Sequence, residues 1–227
     1  MGQRHSGDDG RAQELERTLI EHSQRGDRGA FNQLVVIHQA DAYALALRML
    51  GNPDSAADIT QDAFFSAYRA IGSFRGSSFR AWLLRIVSNA CFDHFRAQGR
   101  RPAVSLEATL EADRDTDVPG QGSDSRLPKA MMDPSWNPEA VALRAEVIEQ
   151  IQAALLRLQP EQRLAVILSD IQGLAYEEIA RVMETSLGTV KSRIARGRAH
   201  LRALLLRQPE LFGHLYRPGS GHGHDKE

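Results

Sequence analysis

Residues 175–206, AYEEIARVMETSLGTVKSRIARGRAHLRALLL, constrain the fold more than any other part of the sequence. They predict two short helices joined by a tight turn. Apolar residues of the second helix recur at steps of three, four or seven and therefore lie on one stripe: Leu187, Val190, Ile194, Leu201 and Leu205. The inner side of the first helix is apolar too, with Ile179, Ala180 and Met183. Together the two segments predict a helix-turn-helix.

The remaining surface of the second helix is basic. Its cations, with no acid among them, are Lys191, Arg193, Arg196, Arg198 and Arg202. Thr185 or Ser186 is placed to cap its first turn, the end that approaches base edges when such a helix enters the major groove. Arg196 suits a guanine edge or a phosphate, and a bidentate base contact contributes about 1–3 kcal/mol of discrimination. Lys191 and Arg193 suit phosphates. The alternative interpretation is a solvated cationic face on an ordinary bundle.

Charge is nearly balanced over the 227 residues but is unevenly distributed. The net charge is −1, so any affinity for nucleic acid must come from local patches. Residues 74–101 are strongly basic and carry a single acid, Asp93. Residues 107–124 have the opposite balance: they are rich in Asp and Glu and carry a single cation, Arg114. One segment is therefore suited to nucleic acid and the other is not.

The sequence predicts an all-α protein of two small helical domains, because no segment has the alternation of a strand. Residues 12–101 form the first domain, with helices predicted at 14–23, 28–50, 54–71 and 79–98. Residues 102–138 are rich in Pro, Gly, Asp and Ser and predict a flexible acidic linker, too long for a connection inside one compact domain. Residues 139–207 form the helix-turn-helix domain. The predicted disordered N-terminus is 1–11, and a tail follows at 208–227.

Two helices of the first domain allow more than one interpretation. The helix at 54–71 exposes Asp58, Gln61 and Asp62, which fits both partner docking and solvation, and the pattern alone favours solvation. The helix at 79–98 has an apolar stripe and a second side with Arg80, Arg85, Ser88, Asn89, His94 and Arg96. With the preceding loop SFRGSS, that side suits a melted DNA strand held by stacking and edge contacts. By residue type alone, Phe74 and Trp82 favour a core position and His94 a surface position.

Several classes of protein are disfavoured. The lone cysteine, Cys91, cannot form an internal disulfide, and no signal core or apolar run of about 18 residues predicts export or insertion in a membrane, so a cytoplasmic protein is expected. No catalytic carboxylate pair, Ser-His-Asp set or phosphate-binding loop is present, which predicts neither an enzyme nor a cofactor. The tail histidines His214, His222 and His224 fit a disordered end better than a metal site. A stand-alone helix-turn-helix repressor, dimeric on a palindrome, is the main competing class.

Four segments in order carry a resemblance to a known family. They are TQDAFFSAYRAI, SFRGSSFRAWLLRIVSNACFDHFR, QGRRP and LQPEQRLAVILSDIQGLAYEEIARVMETSLGTVKSRIARGRAHL. This set resembles the extracytoplasmic-function sigma factors of the bacterial sigma-70 family over residues 12–206. The resemblance implies a protein that binds core RNA polymerase and directs promoter-specific initiation. Such a protein recognises the minus-35 element as duplex, and melts and captures the minus-10 element.

The resemblance also implies roles for individual positions and favours docking over solvation for the helix at 54–71. Positions matching the helix that docks on the beta-prime clamp coiled coil of polymerase are Asp58, Gln61, Asp62 and Phe65. Positions matching the minus-10 surface are Phe74, Arg75, Ser77, Ser78, Arg80, Arg85, Asn89 and Arg96. Positions matching the minus-35 surface are Thr189, Lys191, Ser192, Arg193, Ala195 and Arg196.

Further partners follow from the same resemblance. The polymerase beta flap and an anti-sigma factor are expected to bind the chain, and the acidic linker matches the connector that family members thread near the active cleft of polymerase. The loop departs from the family pattern in one respect. Only Ser77 and Ser78 separate Gly76 from Phe79, where family members usually have three residues.

Overall fold

The computed structural model describes residues 6–76, 78–100 and 138–207, and all the regular elements in these ranges are helical. This confirms the all-α prediction. The first domain contains α1 (Ser6–Gln24), α2 (Arg28–Leu50), α3 (Pro53–Ala70), a 3-10 turn (Ile71–Ser73) and α4 (Phe79–Arg100). The second contains α5 (Pro138–Leu156), α6 (Pro160–Val166), a π-helical turn (Ile167–Ile171), α7 (Tyr176–Val182) and α8 (Leu187–Leu205). Ser77, the predicted linker up to residue 137 and the tail at 208–227 lie outside the described residues.

Helix α2 is the centre of the first domain and packs against α1, α3 and α4. Its start is capped by the Asp27 carboxylate, which accepts hydrogen bonds from the amides of Gly29 at 2.7 Å and Ala30 at 3.1 Å. Its end is set by Gly51, whose φ of +75° ends the helix in the left-handed conformation. Both ends therefore coincide with the predicted helix at 28–50.

Helix α1 is longer than the sequence predicts. It begins at Ser6, whereas the predicted helix begins at residue 14 and residues 1–11 were expected to be disordered. The added turns contain Ser6, Asp8 and Asp9, residue types that favour a helix N terminus through capping and the helix dipole. Hydrophobic periodicity cannot detect such turns, because the residues in them are polar or small.

Helices α3 and α4 complete the first core. The side chain of Asn52 accepts a hydrogen bond from the Ser55 amide at 2.8 Å and so caps α3. The α4 residues Phe79, Leu83 and Val87 are buried as predicted. Ser88 differs from its predicted place on the polar side: it is only 1% exposed, and its hydroxyl donates to the Leu84 carbonyl at 2.7 Å. A serine satisfied by its own helix can occupy a core position.

The second domain ends in the predicted helix-turn-helix, formed by α7 and α8. The turn passes through Glu184, which has a left-handed φ of 48°. Ser186 caps α8 by accepting a hydrogen bond from the Thr189 amide at 3.1 Å. Val190 and Ile194 are buried as the apolar stripe predicts, and α8 packs on α6 and α7. The fold thus holds the basic helix on a small apolar platform.

The two domains pack against each other, through α5 on α2 and α7 on α4. The Arg163 guanidinium is buried at this junction, where it donates to the carbonyls of Leu155 and Met49, one in each domain. Gln152 adds a second link by donating to the Leu47 carbonyl at 3.2 Å. The sequence predicts two helical domains but not that their surfaces meet.

Candidate nucleic-acid interface

The outward face of α8 presents the basic and small side chains that a helix needs to enter the major groove of DNA. Lys191, Ala195 and Arg196 are exposed along this face. Arg196 lies along the helix, because its guanidinium donates to the Ser192 carbonyl at 3.3 Å and to the Ser192 hydroxyl at 3.0 Å. Both bonds are exposed and are exchangeable for bonds to a base or a phosphate. The structure thus brings together the centre of the predicted minus-35 set.

Two other members of that set lie toward the edges of the face. Thr189 belongs to the helix cap, with its hydroxyl 2.9 Å from that of Ser186. Arg193 is half-buried and lines a gap of about 230 Å³ that also contains Asn89 of α4. Its position is therefore between the two domains rather than at the centre of the outward face.

Arg198, another basic residue of α8, is bound by residues of its own domain. It donates to both carboxylate oxygens of Asp170 and to the Ser169 hydroxyl. The hydrogen bond from Arg198 holds the pKa of Asp170 below its ordinary value, and the same bond raises the pKa of Arg198. The pair joins the turn after α6 to α8, so Arg198 stabilises the platform of the reading helix.

The loop between α3 and α4 is built around buried rings. Phe74 is 6% exposed and packs on Phe79 and Trp82, with ring centroids 5.9 and 5.1 Å away. Phe74 therefore occupies the core position that its residue type favours, and in this conformation its ring lies under the loop. The Gln24 amide donates to the carbonyls of Ile71 at 3.2 Å and Phe74 at 2.9 Å. Gln24 could not be predicted from the sequence, because a glutamine at a helix end has no pattern that marks it.

The remaining loop residues stand above this apolar base. Arg75 is exposed and folds back on the loop by donating to the carbonyls of Gly72 and Phe74, both at 2.8 Å. Ser78 accepts a hydrogen bond from the Ala81 amide at 3.1 Å, in the first turn of α4. Of the predicted loop set, Arg75 is therefore the most accessible, while Ser78 also shapes the start of the helix.

The polar side of α4 carries the other predicted minus-10 residues in different environments. Arg96 is exposed and pairs with Asp93 at 2.8 Å. Asn89 is exposed beside the gap between the domains. Arg85 pairs with Glu184 of the second domain at 2.6 Å, and Arg80 is held by Asp41 at 2.5 Å. The predicted side of the helix is therefore present, but Arg80 and Arg85 are held by residues outside α4, and Arg96 is paired within it.

A separate face on α3 unites the four residues predicted to dock on a partner. All four are exposed on the side away from the buried Ala63 and Ala67, and they are Asp58, Gln61, Asp62 and Phe65. Phe65 is 57% exposed and borders a groove of about 430 Å³ between α2 and α3. Phe31, Phe64 and Tyr68 also line this groove. The α3 face therefore combines exposed carboxylates with a largely apolar groove that Arg28 also lines.

Other features bear on what the site can do chemically. Cys91 is buried, and burial raises the pKa of its thiol to about 12, so the thiol stays protonated and unreactive. Within residues 6–76, 78–100 and 138–207 no cluster of His, Cys, Asp or Glu is arranged to hold a metal ion. No helix in the same part of the chain has the length and apolarity needed to cross a bilayer. The observed surfaces are suited to binding.

Comparison with known proteins relates both domains to one family. Two family models match the chain, Sigma-70 region 2 over residues 34–101 and Sigma-70, region 4 over residues 148–201. The RNA polymerase sigma-H factor of Pseudomonas aeruginosa is 37% identical over 187 residues, which cover 82% of this chain and 91% of the relative. The ECF RNA polymerase sigma-E factor of Escherichia coli is 38% identical over 184 residues, which cover 81% and 90%.

Solved structures agree with the sequence relatives. The structure of CnrH in complex with the cytosolic domain of CnrY superposes with a TM-score of 0.57 at 28% identity, covering 86% of this chain and 99% of that one. The sigma factor RpoE of Bartonella quintana, solved with the anti-sigma factor NepR, gives a TM-score of 0.55 at 25% identity and covers 78% and 98%. The chain therefore belongs to the extracytoplasmic-function sigma factors of the sigma-70 family, which direct transcription initiation.

Proposed function

We propose that this chain binds core RNA polymerase through its first domain and recognises two promoter elements with separate surfaces, in the cytoplasm where polymerase acts. Helix α8 reads minus-35 duplex, and α4 with its preceding loop melts and captures minus-10 DNA. The observation that carries the proposal is the exposed acidic and aromatic face of α3 on the same chain as the basic helix-turn-helix. A DNA-binding domain alone has no need of such a face.

The α3 face has the chemistry of a docking site for a protein helix. The groove beside Phe65 offers aromatic surface, and burying such surface is the main favourable term in association. Asp58 and Asp62 are exposed on the same helix as Gln61 and Phe65, which line the groove, and they favour a partner with basic side chains. We expect the coiled-coil helix of the beta-prime clamp to meet both requirements by presenting apolar and basic residues to this face.

Two further protein partners are proposed. Val141 and Ile148 lie seven residues apart on α5 and form an exposed apolar stripe, which fits the beta flap as a second contact with polymerase. An anti-sigma factor is the other partner. The structural similarity to the sigma factor RpoE, solved in complex with the anti-sigma factor NepR, supports this second expectation.

At minus-35, the N-terminal half of α8 enters the major groove. Gly188 and Ala195 allow close approach of the backbone, while Arg196 reaches a base edge or a phosphate. Lys191 contacts phosphate and sets the position of the helix without specifying sequence. The bond between Arg198 and Asp170 keeps the helix in place, so its orientation is fixed before DNA arrives.

At minus-10, the buried ring of Phe74 supports the loop while exposed residues contact the strand. Unstacking a base costs a few kcal/mol, and contacts to the flipped base and the backbone offset this cost. We expect Arg75 and Asn89, which are exposed, to make such contacts, and Arg96 to exchange its pair with Asp93 for the DNA backbone. Gly76 lies close to this ring, since a Cβ at Gly76 would approach Phe74 Cε2 to 2.9 Å.

Polymerase has a physical role in this mechanism, because each DNA contact is weak when it acts alone. One short basic helix neutralises few phosphates, and electrostatic affinity falls steeply with salt. A polymerase that holds both domains at promoter spacing makes the second contact intramolecular and raises the effective concentration of each surface. Binding to polymerase therefore controls the activity of the chain.

Charge reversal on α3 tests the proposal directly. We expect Asp58→Lys with Asp62→Lys to weaken binding to core polymerase by at least a hundredfold, since two attractive contacts become repulsive in a site that also buries apolar surface. The measurement is co-purification and fluorescence titration of labelled full-length chain with core enzyme. A Glu14→Lys, Glu177→Lys chain, with the same change of net charge at exposed positions away from α3, should bind as the wild type does. Equal binding by all three chains would refute the proposed docking face.

A further inference from the structure

The loop that precedes α4 is held from behind by α1, a helix that has no part in the three predicted surfaces. The Gln24 side-chain amide, at the last residue of α1, donates to the carbonyls of Ile71 at 3.2 Å and Phe74 at 2.9 Å. Among the described residues, both of the hydrogen bonds that join α1 to this loop come from Gln24. Gln24 is half-buried, so these bonds are partly protected from competition with water.

Helix α1 is itself fixed to α2, so Gln24 is a donor with a set position. His38 of α2 is buried, and its Nε2 donates to Glu16 Oε1 at 2.8 Å. Glu16 lies about two turns before Gln24 on α1, roughly 12 Å along the helix axis. Ser23, next to Gln24, is also buried, and its hydroxyl donates to the Leu19 carbonyl at 2.6 Å. A helix attached at two separated points holds its end in place relative to α2.

The Phe74 carbonyl is the point at which Gln24 acts on the loop. This carbonyl accepts hydrogen bonds from Gln24 and from the guanidinium of Arg75, the exposed loop residue expected to contact DNA. The ring of the same residue is buried and packs on Phe79 and Trp82. Because Phe74 is anchored through both its ring and its carbonyl, the place where the chain turns outward to Arg75 is fixed.

The loop needs such an anchor because its own sequence is permissive. Gly72 has open space around its Cβ position, and Gly76 follows four residues later. Glycine loses more conformational freedom on ordering than any other residue, so the loop depends on hydrogen bonds for a single conformation. A cavity of about 840 Å³ lies between α1 and the loop, lined by Gln13 and Arg17 on the α1 side. Gln24 therefore links the loop to α1 beside an open space.

We propose that Gln24 is a positioning residue for capture of the minus-10 strand: its amide sets the loop in the conformation that receives an unstacked base. The inference rests on the proposed function, which assigns the loop to minus-10 DNA. Gln24 acts through the loop rather than on the DNA. Without its amide, the carbonyls of Ile71 and Phe74 turn to water and the loop is ordered only when DNA binds, so part of the binding free energy is lost.

Two substitutions of Gln24 separate its hydrogen bonds from its packing. Gln24→Ala removes the side chain beyond Cβ, whereas Gln24→Glu keeps the size and replaces the donating amide by a carboxylate that only accepts. Gln13→Ala and Gln13→Glu are the matched controls. Gln13 is exposed on α1, lines the same cavity and, within the part of the chain that the structure describes, has no hydrogen bond to the loop. Thermal unfolding of each full-length chain is recorded before it is assembled with core polymerase.

The probe is the promoter that the wild-type holoenzyme uses most strongly in run-off transcription, prepared with the minus-10 element single-stranded on the non-template strand. A matched set carries an abasic site at each minus-10 position in turn. The measurement is the dissociation constant of every holoenzyme for every probe. An abasic site removes one base and leaves the backbone, so making the two changes singly and together gives the coupling between Gln24 and the captured base.

We expect the wild type to lose affinity when one position, that of the captured base, is abasic. Gln24→Ala and Gln24→Glu should bind the intact promoter about three- to tenfold more weakly than the wild type, the loss that missing hydrogen bonds produce. On the promoter that is abasic at the captured position, this difference should disappear. Both Gln13 variants should match the wild type on every probe. Wild-type affinity of the Gln24 variants for the intact promoter, or an equal loss on the intact and abasic promoters, would overturn the proposal.

The wild-type data test separately the function on which the inference rests. A wild-type holoenzyme that is insensitive to an abasic site at every minus-10 position would contradict base capture by this loop. A wild type that is sensitive at one position, with Gln24 variants that behave in the same way, would leave base capture standing and would remove only the role of Gln24.

Discussion

Arg196 and Arg198 are two positions apart on α8 and are the same residue type, yet they have different environments in the fold and different roles. Arg196 bonds only to Ser192 of its own helix at the exposed face, whereas Arg198 is bound by Asp170 from the preceding turn. The sequence identifies both as basic residues of one helix. It cannot separate them, because the partner of Arg198 is 28 residues away and comes close only when the platform has folded.

The role of Arg196 is tested by its loss. Arg196→Ala in holoenzyme should cost about 1–3 kcal/mol at the best minus-35 sequence and should relax the preference at one base pair. Lys191→Ala is the comparison, with a similar loss on every sequence. Binding is measured by anisotropy across a set of single-base minus-35 variants. An equal loss on scrambled duplex for Arg196→Ala would assign it to phosphate instead.

Asp170 should make stability depend on pH. The Arg198 hydrogen bond depresses its pKa in the folded state, so the unfolded state takes up its proton first as pH falls. Its contribution is therefore complete above the ordinary aspartate pKa of about 4 and disappears as pH falls through the depressed value.

The pair is partly exposed, so we expect Asp170→Asn to cost about 0.5–1 kcal/mol at pH 7 and less near pH 2. Urea unfolding at both pH values gives the comparison. Asp93→Asn, which removes the same charge from the exposed pair with Arg96, is the control and should change little. A cost for Asp170→Asn that stayed constant down to pH 2 would contradict this account.

At the scale of elements, the ends of a helix are predicted correctly where nearby residues cap or terminate it. The ends of α2 follow from Asp27 and Gly51, whose capping chemistry is visible in the sequence. The start of α1 does not, because residues 6–13 are polar or small and carry no hydrophobic period. Ser88 was wrongly predicted to lie on the polar side of α4. Its hydroxyl forms a hydrogen bond within the helix, so the serine can be buried in the core.

Gly197 is an element-scale feature that the sequence conceals. It is buried where α8 crosses α6, and a Cβ at this position would lie 2.7 Å from Val166 Cγ2 and 3.2 Å from the Gln162 carbonyl oxygen. Gly197→Ala should gain about 1 kcal/mol of helix propensity and lose about 1–3 kcal/mol to overpacking, giving a net decrease in stability.

Gly188 is the matched control, because its Cβ would meet only the Ser186 hydroxyl at 3.9 Å. Gly188→Ala should therefore leave stability unchanged or raise it. Chemical denaturation of the two variants is the measurement. A Gly197→Ala chain as stable as wild type would show that α8 can move away from α6 at little cost.

For the whole molecule, the sequence correctly predicts two helical domains but gives no indication of how they pack. The contacts that join them use groups with no side-chain pattern, such as the Met49 and Leu47 carbonyls. Gln172, buried across the junction, looks like an ordinary polar residue before a glycine. The proposed docking face on α3 shows a related limit: residues alone favour solvation, and the family resemblance was needed to favour a partner.

The central claim is that weak DNA contacts in this chain become effective when polymerase holds them in register. Run-off transcription with purified core polymerase on a genomic promoter library tests it most directly, with the free chain's affinity for the same promoters measured alongside. We expect transcripts from a specific set of promoters only when chain and polymerase are both present, and weak, salt-sensitive promoter binding by the chain alone. A transcript pattern unchanged by the chain, or equally tight promoter binding without polymerase, would contradict the claim.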